Sequence, residues 1–479
     1  MSKQRDNIIE FLYHTFDSIK TQVWPLLGLV IAFIGAKNHY AIYIKAAFYM
    51  FIVLLVIYSF LKWINKTFEF KDSFIRISEG VFSKKVNEIP YKRVKSITTT
   101  DSLPKRLFSI SNFSLELIGG SSVTFVLANK HIKRVKEQIF PDFLLQMVKV
   151  KNSTKLTPFG YLLLSTSSLK VLLMAFPAAL TTFSFILGFL SKHYDEKQAT
   201  GKELIKEFAD INLLNPEILT AILICVAAVL VLTYIISFGY IFVTYSNFSI
   251  RGTGKEVIVE QGRFNRKAFH IPRKHMRTLR IVEPIFYRWF GYVQLEIDCV
   301  GFYDSGSTSI LIAPVIKKNE VSSVLNRYFP EFKEQILDIT PNQNAFFFYY
   351  NNWITRLGVV CLIITAYFDY FLIGLAAFIV LITPNAYLQW KYAGLTFNDR
   401  YITIRQTHIL TVETVITFKK YVQSVNTAQS FLMKRRQLKD YGFSVYSEDV
   451  FEEFYIDNLC EKQAVDFLKY LESPSSKVN

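Results

Sequence analysis

The chain has 479 residues, a formal charge of +16 and four cysteines, Cys225, Cys299, Cys361 and Cys460, with no paired spacing. That spacing excludes a disulfide framework or a zinc site as the organising device. Hydrophobic residues make up 51% of the chain, with 44 Phe and 27 Tyr, and the length suits roughly three units of about 150 residues.

Taken from the N-terminus, no signal peptide with a small-residue cleavage site is expected; the first apolar run begins near Val23. Residues 22–36 form a short apolar segment. Residues 41–61 are apolar apart from Lys45, which can snorkel from a helix end. Further on, 171–191 and 218–250 carry no charge, and 370–390 is equally apolar. Crossing about 30 Å of hydrocarbon takes roughly 20 apolar residues in helix. The stretch 345–368 is interrupted by Arg356. Together these predict six transmembrane helices in three hairpins, about 22–61, 160–244 and 345–390, each followed by a polar, β-rich segment. The units are a hairpin over 1–65, a β-rich domain over 66–156, a hairpin over 157–245, a domain over 246–343, a hairpin over 344–391 and a domain over 392–479.

The β-rich segments repeat one another. "EQIFPDFLLQ" (137–146) and "NRYFPEFKEQ" (326–335) share Phe-Pro-acid-Phe. Upstream, Gly80 precedes Ile89-Pro90 as Gly262 precedes Ile271-Pro272, and Arg106-Leu107-Phe108 answers Arg288-Trp289-Phe290. A fainter third copy over 401–438 aligns Val422-Gln423-Ser424-Val425 with Val94-Lys95-Ser96-Ile97, without the Ile-Pro or Phe-Pro. Within the first copy, "SFIRIS" (73–78), "FSLELI" (113–118) and "SVTFVLA" (122–128) alternate as half-buried strands do. Gly119-Gly120-Ser121 reads as the turn between two of them. Residues 131–150 have helical spacing, which Pro141 should break or restart. Phe-Pro-acid-Phe is therefore expected to be a helix joint that docks two aromatics on the sheet, its acid suited to a helix N-terminus.

The order of strands, Gly, Ile-Pro, Val-x-Ser, Arg-bulky-Phe and a Leu-Glu strand resembles the bacterial pleckstrin-homology-like (PH-like) domain, in membrane proteins of the YdbS/YdbT type. The resemblance covers nearly the whole chain, most closely in the first copy. It implies a multi-pass membrane protein whose hairpins alternate with three PH-like domains, each a partly open barrel of antiparallel strands with a C-terminal helix. Two positions depart from the pattern: Ser109 stands where the second copy has Gly291, and His408 where the third should have its Gly. The resemblance implies no general activity.

No catalytic constellation stands out. The seven histidines make no metal-ligand spacing. His270 and His275, among basic neighbours, are expected to be exposed. "RGTGKE" (251–256) lacks phosphate-loop spacing and reads as a turn before a strand. Asp101 and Glu283-Pro284 read as strand-end turns. Lys170, Arg356 and Asp369 lie near span ends, where snorkelling accounts for them.

The basic residues are the functional candidates. The first copy has Lys84, Lys85, Lys92, Arg93, Lys95, Lys105 and Arg106. The second has Arg263, Arg266, Lys267, Arg273, Lys274, Arg277 and Arg280. The third has Lys434, Arg435 and Arg436, beside Lys419-Lys420. Cytoplasmic loops carry the Lys/Arg excess, whereas the 192–217 loop is balanced or slightly acidic. Both termini and all three domains are thus expected on the cytoplasmic side of a bacterial cell membrane. Each cation near an anionic leaflet contributes about 1 kcal/mol. The expected role is non-enzymatic and cofactor-free: a scaffold that binds anionic lipid headgroups, other membrane proteins or itself, and not nucleic acid. The competing reading is transport or export of a peptide or lipid, with the domains as regulators.

Overall fold

The computed structural model describes residues 41–81, 83–117, 122–139, 156–168, 171–184 except 178 and 183, 216–252, 255–299, 309–333, 335–350, 353–367, 371–408, 411–447 and 450–472, with a few positions near the N-terminus. The expected first span at 22–36, the 192–215 part of the expected outer loop, Lys170, Asp369, Gly119–Ser121 and the first Phe-Pro motif lie outside these residues.

In chain order, a two-residue strand β1 (Gln4–Arg5) precedes helix α1 (Ala41–Asn65). The first β-rich domain follows with β2 (Thr67–Phe70), β3 (Phe74–Glu79), β4 (Lys85–Pro90), β5 (Val94–Ser102), helix α2 (Leu103–Leu107), β6 (Ile110–Leu117), β7 (Ser122–Ala128) and helix α3 (Asn129–Ile139). Helices α4 (Pro158–Ser167) and α5 (Pro216–Tyr245) lead into the second domain. That domain repeats the pattern as β8 (Ser249–Gly252), β9 (Glu256–Gln261), β10 (Asn265–Pro272), β11 (Met276–Glu283), α6 (Ile285–Trp289), β12 (Tyr292–Cys299), β13 (Ser309–Lys317) and α7 (Val321–Tyr328). Helices α8 (Trp353–Tyr367) and α9 (Phe371–Tyr392) precede the third. It contains β14 (Gly394–Phe397), β15 (Tyr401–His408), β16 (Thr411–Phe418), β17 (Val422–Ala428), α10 (Phe431–Arg435), β18 (Leu438–Ser447), β19 (Val450–Cys460) and α11 (Glu461–Glu472).

Among the described residues, α1 and α5 are long and apolar enough to cross a membrane. A third span exists if the bent pair α4 and Val171–Thr182 counts as one. Their outward faces are apolar, as at Leu54, Ile57, Leu230 and Ile235. The α8–α9 hairpin closes through glycines: a Cβ on Gly358 would lie 2.0 Å from Ile382 Cδ1, and one on Gly374 1.9 Å from Thr365 Oγ1. Small residues at such a contact let helices approach closely in lipid. The stretch expected to open this hairpin is instead a 3-10 turn over Gln343–Tyr350, whose Tyr349 hydroxyl donates to Asp457 O at 2.8 Å.

In the first domain one core joins both strand sets and the helix. Phe68, Phe70, Ile75, Ile77 and Ile89 face Ile97, Phe113, Leu115 and Phe125, with Ile132, Val135 and Ile139 of α3 filling the open end. The strand positions are those that alternate in sequence, and the helix positions are spaced by three and four. Ile89 and Ile271 of the Ile-Pro pairs are core residues, and each proline ends its strand ahead of a three-residue 3-10 turn.

The strands do not close within their own domains. The sheets run β1-β2-β3-β4, then β7-β6-β5-β10-β9-β8, then β13-β12-β11-β16-β15-β14, then β17-β18-β19. The second half of each domain is therefore continuous with the first half of the next. We call the β5·β10 seam joint 1 and the β11·β16 seam joint 2. Their registers are equivalent. Ile97, three residues into β5, pairs with His270, two before the end of β10; Leu279, three into β11, pairs with Ile416, two before the end of β16. All three copies share a β-bulge at the same place, Val94/Ser96, Met276/Thr278 and Val422/Ser424.

Candidate functional site

One feature recurs in all three domains with outward apolar side chains: the short helices α2, α6 and α10. Each buries its third residue, Lys105, Tyr287 or Met433. Each carries a base at the fourth: Arg106, Arg288 or Lys434. The flanking apolar side chains face out. Leu107 is 84% exposed, Trp289 68% and Phe431 70%, and Leu103, Phe108, Phe286, Phe290 and Leu432 are exposed beside them. Each helix ends on a residue in the left-handed region, Ser109 (φ 53°), Gly291 (φ 70°) or Gln437 (φ 55°). Ser109 and Gln437 thus hold, with side chains, the conformation that Gly291 adopts in copy two.

These short helices sit against the apolar helices. Phe290 packs edge-on to Phe159 of α4, 5.3 Å between ring centroids, and the Arg288 guanidinium lies 4.8 Å over the Tyr392 ring at the end of α9. Met433 of α10 clusters with Ala386 and Ala393. Arg106 of α2 lines an open cleft of about 700 Å³ with Asn247, just past the end of α5. Its guanidinium is engaged there, donating to Arg263 O at 2.8 Å.

Each joint holds a cluster of buried charge. In joint 1, Lys136 of α3 donates to His270 Nε2 at 2.7 Å, and His270 Nδ1 is 3.7 Å from Glu256. Burial lowers Lys136 to about 8 against the opposite pull of Glu256, and raises Glu256 to about 7 against the pull of Lys136. Burial, then Lys136 and Arg251, push His270 well below its ordinary value, so it is the neutral acceptor of the lysine. His275 is held down to about 3 by burial, then by Lys95, Lys274 and Arg277. The expectation that these two histidines are exposed is corrected: the strands and turns of the joint cover both. In joint 2, Arg280 bridges Asp298 at 2.7 Å and Glu413 at 3.0 Å. Arg277 stacks 3.8 Å over the Tyr421 ring.

The other predicted residues fall into three groups. Lys84, Lys85, Lys92, Arg93, Lys274, Arg435 and Arg436 are exposed, as is Lys434. Lys105 is buried and bonded to Asn112, Arg266 pairs with Glu260, and Arg273 with Glu331. Lys95 and Lys267 are half-buried along joint 1, and Arg263 is exposed at its rim. The second Phe-Pro motif docks its aromatics as expected, with Phe329 and Phe332 in the core. Its acid does not start a helix. Glu331 follows the end of α7 and pairs with Arg273 at 2.8 Å. Of "RGTGKE", Arg251-Gly252 end β8 and Glu256 begins β9. Glu283 closes β11 and accepts from Lys318 at 2.9 Å. The exposed apolar flanks of the short helices were missed in sequence. Their signal was present, since Arg-bulky-Phe is one of the repeated marks, but it reads as repetition and not as exposure.

Three PH-like repeats strung through apolar helices define a membrane protein of tandem bacterial PH domains. The model of the "Bacterial PH domain" family matches residues 25–141, 204–331 and 354–475, and the chain belongs to that family. It is 23% identical to the UPF0699 transmembrane protein YdbT of Bacillus subtilis (strain 168), over 97% of this chain and 96% of that protein. No solved structure matches it.

Proposed function

We propose that this protein is a non-enzymatic membrane scaffold whose three PH-like domains lie on the anionic, cytoplasmic face of a bacterial cell membrane. Six helices in three hairpins hold it there, with both termini on the same side. The observation that carries this reading is the threefold recurrence of a short helix with outward Leu, Phe or Trp and an adjoining base, set beside the apolar helices. Aromatic residues favour the headgroup level, and bases favour anionic lipid. The exposed Lys434, Arg435 and Arg436, and Lys92 and Arg93, are the cations that would serve this role.

Spin labels at Leu107→Cys, Phe290→Cys and Leu432→Cys, in full-length protein reconstituted into anionic bilayers, test it. All three labels should be shielded from a water-soluble relaxing agent and accessible to oxygen. Water-like accessibility at all three would remove the membrane-surface reading. Loss of shielding only in zwitterionic lipid would assign the contact to the bases.

A further inference from the structure

Among the described residues, the two internal joints leave one half-joint unpaired in the first domain and one in the third. Strand β4 is the first-domain counterpart of β10 and β16, each of which pairs with the preceding domain. Strand β17 is the third-domain counterpart of β5 and β11, each of which pairs with the following one. Both β4 and β17 are edges among the described residues. Their burial differs accordingly: β16 is buried along nearly its whole length, whereas β4 is exposed except at Ile89, and β17 is exposed except for half-buried Val422 and Val425. Val86 on β4 is 52% exposed.

We propose that β17 of one copy pairs antiparallel with β4 of a second copy, in the register of the internal joints, and that copies join head to tail. An open edge offers a row of unpaired backbone donors and acceptors, and strand addition satisfies them. Three observations favour a second copy as occupant. The two free edges are the two complementary halves of a seam the chain already makes twice. Strand β17 carries against β18, at Val422/Ser424, the same bulge that the joint strands β5 and β11 carry against β6 and β12. Pro90 does not block pairing, because Pro272 holds the same place in joint 1.

The register is specific. Carrying Ile97↔His270 and Leu279↔Ile416 onto the free strands sets Val425 opposite Glu88, Asn426 opposite Asn87, Thr427 opposite Val86 and Ala428 opposite Lys85. No like charges face each other. The step also suits a bilayer, since every domain follows its own apolar helices and the new contact repeats a relation the chain already contains. Such a contact is heterologous, so it closes into a ring if the step rotation allows and otherwise extends as a filament in the membrane plane. The inference goes beyond the scaffold reading and stands whether or not the short helices touch lipid.

The test uses full-length chains in native membranes, one tagged copy carrying Val425→Cys and a differently tagged copy carrying Glu88→Cys. Oxidation should yield a mixed-tag dimer, absent from the unmodified chain with its own four cysteines and from either variant alone. Equal crosslinking by Val425→Cys alone would mean a two-fold contact and overturn the proposal. So would the absence of any mixed dimer.

A second measurement guards against unfavourable crosslinking geometry. Val86→Lys with Thr427→Lys, both at exposed positions, should lower the multi-copy fraction in native mass spectrometry by about fivefold, since opposed like charges destabilise a strand pair. Val86→Lys with Thr427→Glu should restore it. A copy number indifferent to both pairs, or a single copy with another polypeptide on these edges, overturns the proposal.

Discussion

Joints 1 and 2 share a register but not a chemistry. At equivalent positions joint 1 pairs Ile97 with His270 and joint 2 pairs Leu279 with Ile416. Joint 1 encloses a lysine, a glutamate and neutral histidines, whereas joint 2 encloses one arginine shared by two carboxylates. The geometry therefore comes from what the two have in common: a strand of matched length, a 3-10 corner and a bulge. Side chains along the seam are free to vary as long as each buried charge is partnered.

The largest effect should come from Arg280→Met. It strands Asp298 and Glu413, both mostly buried, without their cation, and removing one partner of a buried ion pair costs about 3–5 kcal/mol. Hydrogen exchange resolved by strand should show β11 and β16 deprotected while β5 and β10 keep their protection. Loss of protection at both joints would mean that they are not separate units.

Glycine substitutions come next. Gly262 (φ 95°) and Gly80 (φ 122°) occupy the same turn, and a Cβ would meet Asn265 O at 2.1 Å and Ser83 O at 1.9 Å. Each alanine variant should cost roughly 1–3 kcal/mol. Their reach should differ. Gly262→Ala should loosen β5 across the seam as well as β9 and β10, and Gly80→Ala only β3 and β4. Equal spread in exchange data would argue that joint 1 does not transmit the strain.

The acid response sharpens the contrast further. His275 has a folded value of about 3, below its ordinary 6.5, so the unfolded chain binds its proton first. Its contribution is present above about 6.5 and is lost as pH falls toward 3. His270 acts in the same direction. Glu256, raised to about 7, acts oppositely and gains as pH falls from 7 toward 4.5. His275→Gln should therefore flatten the acid loss of joint 1 protection between about 6.5 and 3. An unchanged pH profile would remove His275 from that role.

The smallest effect belongs to Arg277→Gln in joint 2. It removes the stack on Tyr421 and should cost about 0.5–1 kcal/mol, read as a small rise in exchange at β17's first residues and at β11.

Much of this was legible in sequence. Strands β3, β6 and β7 lie within a residue or a few of the alternating runs, because alternation reports a sheet with one buried face. The Ile-Pro marks fall where a strand ends and a 3-10 corner begins. The exposure of His270 and His275 was misread because their neighbours are basic, and only the seam that covers them makes them interior. Arg280 and Lys105 read as surface bases for the same reason: composition does not say whether a carboxylate or an Asn waits across a fold.

By itself the sequence determined the threefold repeat, the alternation of apolar helices with β-rich domains, the strands and the family. These follow from local period and from hydrophobic length, which any segment displays alone. The tertiary structure decided which strands pair. Strand β5 lies next to β4 in the chain yet bonds to β10, because a strand's two edges offer the same backbone groups and nothing in its periodicity names the partner. That choice set the sheets continuous across domains, drew charged side chains into the seams and left β4 and β17 as sheet edges among the described residues.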